Sequence, residues 1–207
     1  MAKSDSSKNK SSIIAIKVSL KNRYLFTLNL DGDLLQWSIK DQIIVQNYYQ
    51  MNNYSKIVSF VLSPDSKFIY TCDQNNSLRE WDIAKKCIET DFGIISSSRI
   101  SVMEISIKGD MIFTGDQSGS LKQFSVNTKK LAFDYGVIHS GQIDRLAITP
   151  CRLFLLTCGE DRKLKMWFIR LNMMLKNFGK VSDIFRISSL VVSGDSRFFY
   201  VGTSGGE

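Results

Sequence analysis

One histidine stands in the sequence, His139, with Thr157 following at 18 residues and Asp161 at 22. A hydroxyl, an imidazole and a carboxylate are the parts of a nucleophile, its general base and the group that orients the base. Whether that chemistry applies depends on uniqueness. A catalytic set has no reason to recur elsewhere in decayed form, whereas a structural one does. Metal chemistry finds less support. Cys72, Cys87, Cys151 and Cys158 form no C-x-x-C pair, and one histidine leaves the usual zinc ligand sets unfilled. Neither a phosphate loop nor a nucleophile elbow is present, so no metal and no cofactor are expected.

The elements that must carry these residues follow a fixed beat. Trp37 and Trp81 are 44 residues apart, Trp81 and Trp167 are 86 apart, and the intervening beat holds Phe124. Both prolines, Pro64 and Pro150, precede a tryptophan by 17 residues. Such a period marks a repeat architecture. Within each unit, short runs of β-branched and aromatic residues alternate with turn residues. The second unit reads Lys67–Cys72, a turn over 73–77, Leu78–Ile83, then Lys86–Phe92, with Ile57–Leu62 ahead of it. The other units overlay on it, with leading strands at Ile13–Val18, Ile100–Ile105 and Ile143–Ile148. Four short strands per unit and no sustained 3.6-residue period predict an all-β fold. A fifth unit begins with Ile187–Val192 and stops inside its turn at Glu207, so the sequence reads as a chain cut within a repeat.

Composition sets the remaining bounds. Residues 1–12 hold Lys3, Lys8 and Lys10 against Asp5, among serines, and read as a flexible, solubilising tail. No apolar run approaches the roughly 20 residues of a membrane span, and no secretory leader is evident. An intracellular protein, cytoplasmic or nuclear, with no membrane insertion is the expectation. Cys72 and Cys158, 86 residues apart, share one position of the repeat and read as small core residues in a reducing compartment. The net charge of +7 permits an acidic partner or nucleic acid and requires neither.

Over residues 13–207 the sequence resembles the WD-repeat β-propeller family. The likeness rests on Ser63-Pro64-Asp65, Thr71-Cys72-Asp73 and Leu78-Arg79-Glu80-Trp81-Asp82 in the second unit. In the fourth it rests on His139 standing 28 residues before Trp167, with Thr157 and Asp161 at the family's hydroxyl and turn-aspartate positions. The resemblance implies blades at about 13–49, 57–92, 100–135 and 143–178, a partial fifth at 187–207, and an incomplete ring. It also implies a structural tetrad of His139, Thr157, Asp161 and Trp167, in which each buried polar group satisfies the next. Decayed copies support that over catalysis: Asn53, Thr71 and Asn75 with Trp81, and Ser96, Thr114 and Ser118 with Phe124. Trp81-Asp82 is the sole Trp-Asp pair, and Gln36, Glu80, Gln123 and Met166 precede the repeat aromatics. Three polar residues there leave two readings open, hydrogen bonding between neighbouring blades or a partly wet seam.

In this family the loop entering each inner strand lies on a face that receives peptides or other domains. The residues there are Lys56, Arg99, Gln142 and Arg186, with Tyr54 nearby, and together they suggest a basic rim for an acidic or phosphorylated segment. Tyr48-Tyr49 reads as blade packing, with an aromatic contact on the rim as the alternative. The implied function is a non-catalytic protein–protein interaction scaffold within a larger assembly. Two alternatives are a propeller associated with RNA or ribonucleoprotein, and an accessory propeller of a longer multidomain protein. Against RNA, the basic residues are scattered and no aromatic–basic stacking motif appears.

Overall fold

A computed structural model describes residues 11–51 and 55–206. Eighteen strands in the described residues form five antiparallel meanders, each joined in chain order. The first sheet is β1 (Ile13–Val18), β2 (Tyr24–Asn29), β3 (Leu34–Ser38) and β4 (Ile43–Asn47), followed by a helical turn, α1 (Tyr48–Met51). The second is β5 (Ile57–Leu62), β6 (Phe68–Asp73), β7 (Ser77–Asp82) and β8 (Cys87–Ile94). The third comprises β9 (Ile100–Ile105), β10 (Met111–Asp116), β11 (Ser120–Ser125) and β12 (Lys130–Val137). The fourth comprises β13 (Ile143–Ile148), β14 (Phe154–Gly159), β15 (Lys163–Phe168) and β16 (Met173–Lys180). β17 (Ile187–Val192) and β18 (Phe199–Thr203) make a two-stranded fifth.

Two local devices recur and shape each sheet. Where the leading strand of each sheet meets the next, the register skips one residue, at Ile14, Val58, Ser101, Asp144 and Ser188 in turn. Bulges of this kind bend a strand and increase its twist. At the other end of the same strand a hydroxyl closes the turn. Ser19, Ser63, Ser106, Thr149 and Ser193 accept from the backbone N–H five residues on, at 2.9–3.1 Å. That column was not read from the sequence beyond Ser63, because a serine in a turn is common and only its repetition is informative.

Chain contacts divide the molecule into two compact units, Met1–Ile95 and Ser96–Glu207. Sheets one and two enclose the core of the first unit, in which Phe26, Leu28, Leu34, Tyr48, Ile57 and Trp81 are fully buried. In the second unit, Phe113, Leu121, Ile143, Leu155 and Trp167 fill the space between sheets three and four. Leu156, Cys158, Leu164 and Ile187 do the same between sheets four and five. A four-stranded sheet has two apolar faces, and stacking on its neighbours covers them. Hydrogen bonds add direction to that stacking. The Ser101 hydroxyl donates to the Ile143 carbonyl at 2.6 Å, and Arg145 Nε donates to the Ser188 carbonyl at 2.8 Å.

The polar residues preceding the aromatics are hydrogen-bonded, and at Gln123 the bonding passes through Tyr135 to Asn172, in the turn between β15 and β16. Gln36, Glu80 and Gln123 are buried, and each accepts from a tyrosine hydroxyl of its own repeat: Tyr48 at 2.8 Å, Tyr70 at 2.7 Å and Tyr135 at 3.0 Å. Two of those tyrosine rings then stand edge-on to the tryptophan of the following sheet, Tyr48 on Trp81 at 5.6 Å and Tyr135 on Trp167 at 5.5 Å. The glutamine anchors the hydroxyl so that the ring can serve as an apolar wedge. Tyr48 also closes the first sheet, from α1.

Candidate functional site

The fourth sheet holds the one imidazole. β14 carries Thr157 on its buried side, the turn after β14 carries Asp161, and β15 carries Trp167. His139 precedes β13 and lies over Gly159, where an added Cβ would come within 2.6 Å of its ring. His139 Nδ1 is 2.8 Å from Asp161 Oδ1, and its Nε2 is 2.8 Å from Thr157 Oγ1. Trp167 Nε1 donates to the same hydroxyl at 3.1 Å. Burial pulls the imidazole below its ordinary pKa against the opposing pull of Asp161. Burial also pushes the Asp161 carboxyl up, and the hydrogen bond from His139 with two backbone N–H groups outweighs it and holds the group ionised. Protons then follow from the network. Neutral His139 donates through Nδ1 to the carboxylate, and its Nε2 accepts the Thr157 hydroxyl, whose oxygen accepts from the indole.

As chemistry this arrangement is closed. The His139 side chain is 0% exposed, Thr157 is 0% exposed, and the side-chain polar atoms of His139, Thr157, Asp161 and Trp167 already have their partners. Parallel bonds occur in the sheets that lack the histidine. Trp37 donates to Thr27 at 2.9 Å and Trp81 to Thr71 at 2.8 Å. Phe124, which has no N–H, sits buried at the same place in the third sheet. What varies is the acid. Asp73 and Asp116 lie two residues after their threonines, where the fourth sheet has Gly159 and places Asp161 two further on. Asp116 accepts from Ser96 at 2.9 Å and Ser118 at 2.6 Å, and Asp73 binds Arg79 at 2.8 Å. Ser96 therefore stands in for the histidine, bonding a displaced carboxylate. Asn75 reaches Ser55 only at 3.5 Å, and Asn53 falls outside the described residues.

The rim residues occupy one equivalent place in their own sheets. The carbonyls of Lys56, Arg99, Gln142 and Arg186 each accept from the backbone N–H of the turn beside them, at 2.8–2.9 Å. Their side chains differ. Arg99 is exposed and Lys56 is half-buried, with its stem over Gly32. Gln142 Nε2 donates to Asp144 at 3.2 Å. Arg186 departs from the expected role: Asp144 at 2.7 Å and Glu160 at 3.2 Å already answer its charge. No pattern in the sequence signalled that pairing, since Asp144 is a bulge residue and Glu160 a turn residue. Tyr54 lies outside the described residues. All four cysteines are free, Cys72 and Cys158 fully buried and Cys87 and Cys151 exposed.

Among the described residues no cluster of ligands could hold a metal ion, and no helix is long and apolar enough to cross a membrane. Among curated proteins none matches the sequence. The WD domain, G-beta repeat family model matches residues 47–82 and 136–167. Repeats of this family generally mediate protein–protein interaction and are generally not catalytic. Those matched segments take in β5–β7 of the second sheet and β13–β15 of the fourth, the two sheets whose tryptophan, threonine and turn acid are most complete. With the recurring four-stranded meander and the indole–threonine bond, they show WD repeats at two places in this chain, and its all-β sheets are those of an incomplete WD-repeat propeller.

Proposed function

We propose that this chain is a non-catalytic interaction scaffold in a larger intracellular assembly, receiving an acidic or phosphorylated segment where the chain enters its leading strands. The observation that carries the reading is the sealed state of the histidine network. The only imidazole of the chain is spent inside a sheet, and its bonding is shared with sheets that never had one. Arg99 is the strongest receiving group. It is exposed, and no ion pair reaches it among the described residues, so its guanidinium is available to fork onto carboxylate or phosphate oxygens. Lys56 is its equivalent in the first unit. Arg186 contributes by fixing the fourth and fifth sheets through Asp144 and Glu160, and not by meeting a ligand.

Fluorescence anisotropy with a fluorescein-labelled phosphoserine peptide tests this. Losing a charged hydrogen bond should weaken binding about tenfold in Arg99→Ala. Unchanged affinity in that variant removes the rim reading. The net charge of +7 keeps an RNA-associated propeller as the second reading. That reading requires RNA affinity to fall steeply with salt as counterions are released. A flat salt dependence removes it.

A further inference from the structure

In the second unit, at the end of the sheets away from Arg99 and Gln142, a cavity of about 670 Å³ opens between the third and fourth sheets. Its walls are the β9–β10 turn, the β13–β14 turn and the short turn joining β15 to β16. Its lining includes apolar Met111, Ile148 and Ile169, each half-buried, and exposed Ile107. Around it stand three cations, Lys108, Arg152 and Arg170, all exposed. No ion pair reaches any of them among the described residues. The one carboxylate in the wall, Asp110, is occupied locally, accepting from the Ser106 hydroxyl at 2.6 Å.

The repeat frame shows how unusual this corner is. Arg152 occupies the positive-φ place of its turn, and the same place in the other units holds Asn22, Ser66, Gly109 and Ser196. Only the fourth unit sets a cation there. Positive charge at the mouth and an apolar lining beside it are complementary to one ligand form, an acidic group joined to a bulky apolar one. The volume lies in the range that holds ligand-sized groups. We infer that this cavity docks a short segment of a partner protein in which an acidic residue flanks an aromatic or large aliphatic side chain. The apolar side chain rests on the apolar lining, and the carboxylate bridges Arg152 and Arg170. The cavity is separate from the rim proposed above and does not depend on it.

Cys151 lines the same cavity and supplies a reporter. Burial pushes its thiol up, and the hydrogen bond with Thr149 at 3.2 Å and bonds to neighbouring groups outweigh that and hold it below its ordinary pKa. Exposed Cys87, on β8, is the internal control. The probe is a fluorescein-labelled octapeptide with a Glu-Phe-Glu core, titrated onto the 207-residue chain. Expected results are saturable binding, slower iodoacetamide labelling of Cys151 but not of Cys87, and at least a tenfold loss of affinity in the Arg152→Ala/Arg170→Ala double variant. Both arginines are exposed, so the fold should survive, and circular dichroism checks that it does. Arg99→Ala should leave this affinity unchanged. Absence of binding at millimolar peptide overturns the inference, as does equal binding of a Gln-Phe-Gln control. If the affinity follows Arg99 and ignores Arg152 and Arg170, the rim reading stands and this one falls. Protection of Cys151 by inorganic phosphate alone, with no peptide bound, makes the corner a simple anion site and overturns it too.

Discussion

Thr157→Val keeps the shape of the side chain and removes its hydroxyl. Thr157 is 0% exposed, and its oxygen is 2.8 Å from His139 Nε2 and 3.1 Å from Trp167 Nε1. Valine leaves both buried groups without a partner. Each such loss costs about 1–3 kcal/mol, so the pair should cost roughly 2–5 kcal/mol. Against a total stability on the order of 5–15 kcal/mol that is a large fraction. Two companion variants calibrate it. Thr71→Val strands one indole, that of Trp81, which is 0% exposed, and should cost about 1–3 kcal/mol. Thr27→Val strands the indole of half-buried Trp37, which water can reach, and should cost less than about 1 kcal/mol. Urea unfolding reads the series from the midpoint at unchanged slope. Each variant is judged on the shift of its midpoint from that of the unaltered chain. Three equal losses, or a harmless Thr157→Val, would refute the reasoning, since the hydroxyl would then not be the acceptor on which the sheet depends.

Three further outcomes follow from the same geometry. The unfolded chain takes up a proton on His139 near pH 6.5, whereas the folded chain, with its imidazole pKa depressed by burial, resists it. The contribution of neutral His139 is therefore complete above pH 6.5 and is lost as pH falls toward the lower folded value; thermal melting should show this loss, and His139→Gln should lack it. Tyr135→Phe keeps the ring on Trp167 and removes the hydroxyl that bonds Gln123 at 3.0 Å and Asn172 at 3.1 Å, so chemical unfolding should show a loss of about 1 kcal/mol. Tyr135→Ala also removes the half-buried ring from Trp167 and should lose more than Tyr135→Phe by the same assay. Gly159→Ala drives a Cβ to within 2.6 Å of the His139 ring and should cost about 1–3 kcal/mol in the native chain. In a His139→Ala background it should cost distinctly less, and a double-mutant cycle measures the difference.

The strands were legible in the sequence because tryptophan, proline and turn residues keep one period, and a short antiparallel meander is almost fully specified by such local signals. Strand ends shifted by a residue or so, for instance Phe68–Asp73 where Lys67–Cys72 was read, because the bulge in each leading strand moves the register of its partner. The acids of sheets two and three were harder to see. Asp73 and Asp116 sit two residues short of the expected place, so a search for the aspartate at its family position passes over them. Gln36, Glu80 and Gln123 left two readings open, hydrogen bonding between neighbouring blades or a partly wet seam. Their tyrosine partners are ten to twelve residues away, on an adjacent strand for Tyr70 and Tyr135 and in α1 for Tyr48, a pairing that depends on register and not on spacing alone. Charge pairing was the least legible feature. Arg186 shares a column with Arg99, and only the three-dimensional placement of Asp144 and Glu160 separates a paired cation from a free one.

Exchange of the three indole N–H protons, followed by NMR in deuterated water, tests most directly whether equivalent sheets are each pinned by their own indole. Trp81 and Trp167, buried and bonded to Thr71 and Thr157, should exchange only when their units unfold, and Trp37, half-buried on Thr27, should exchange faster. Exchange of all three at the rate of a free indole would contradict the account.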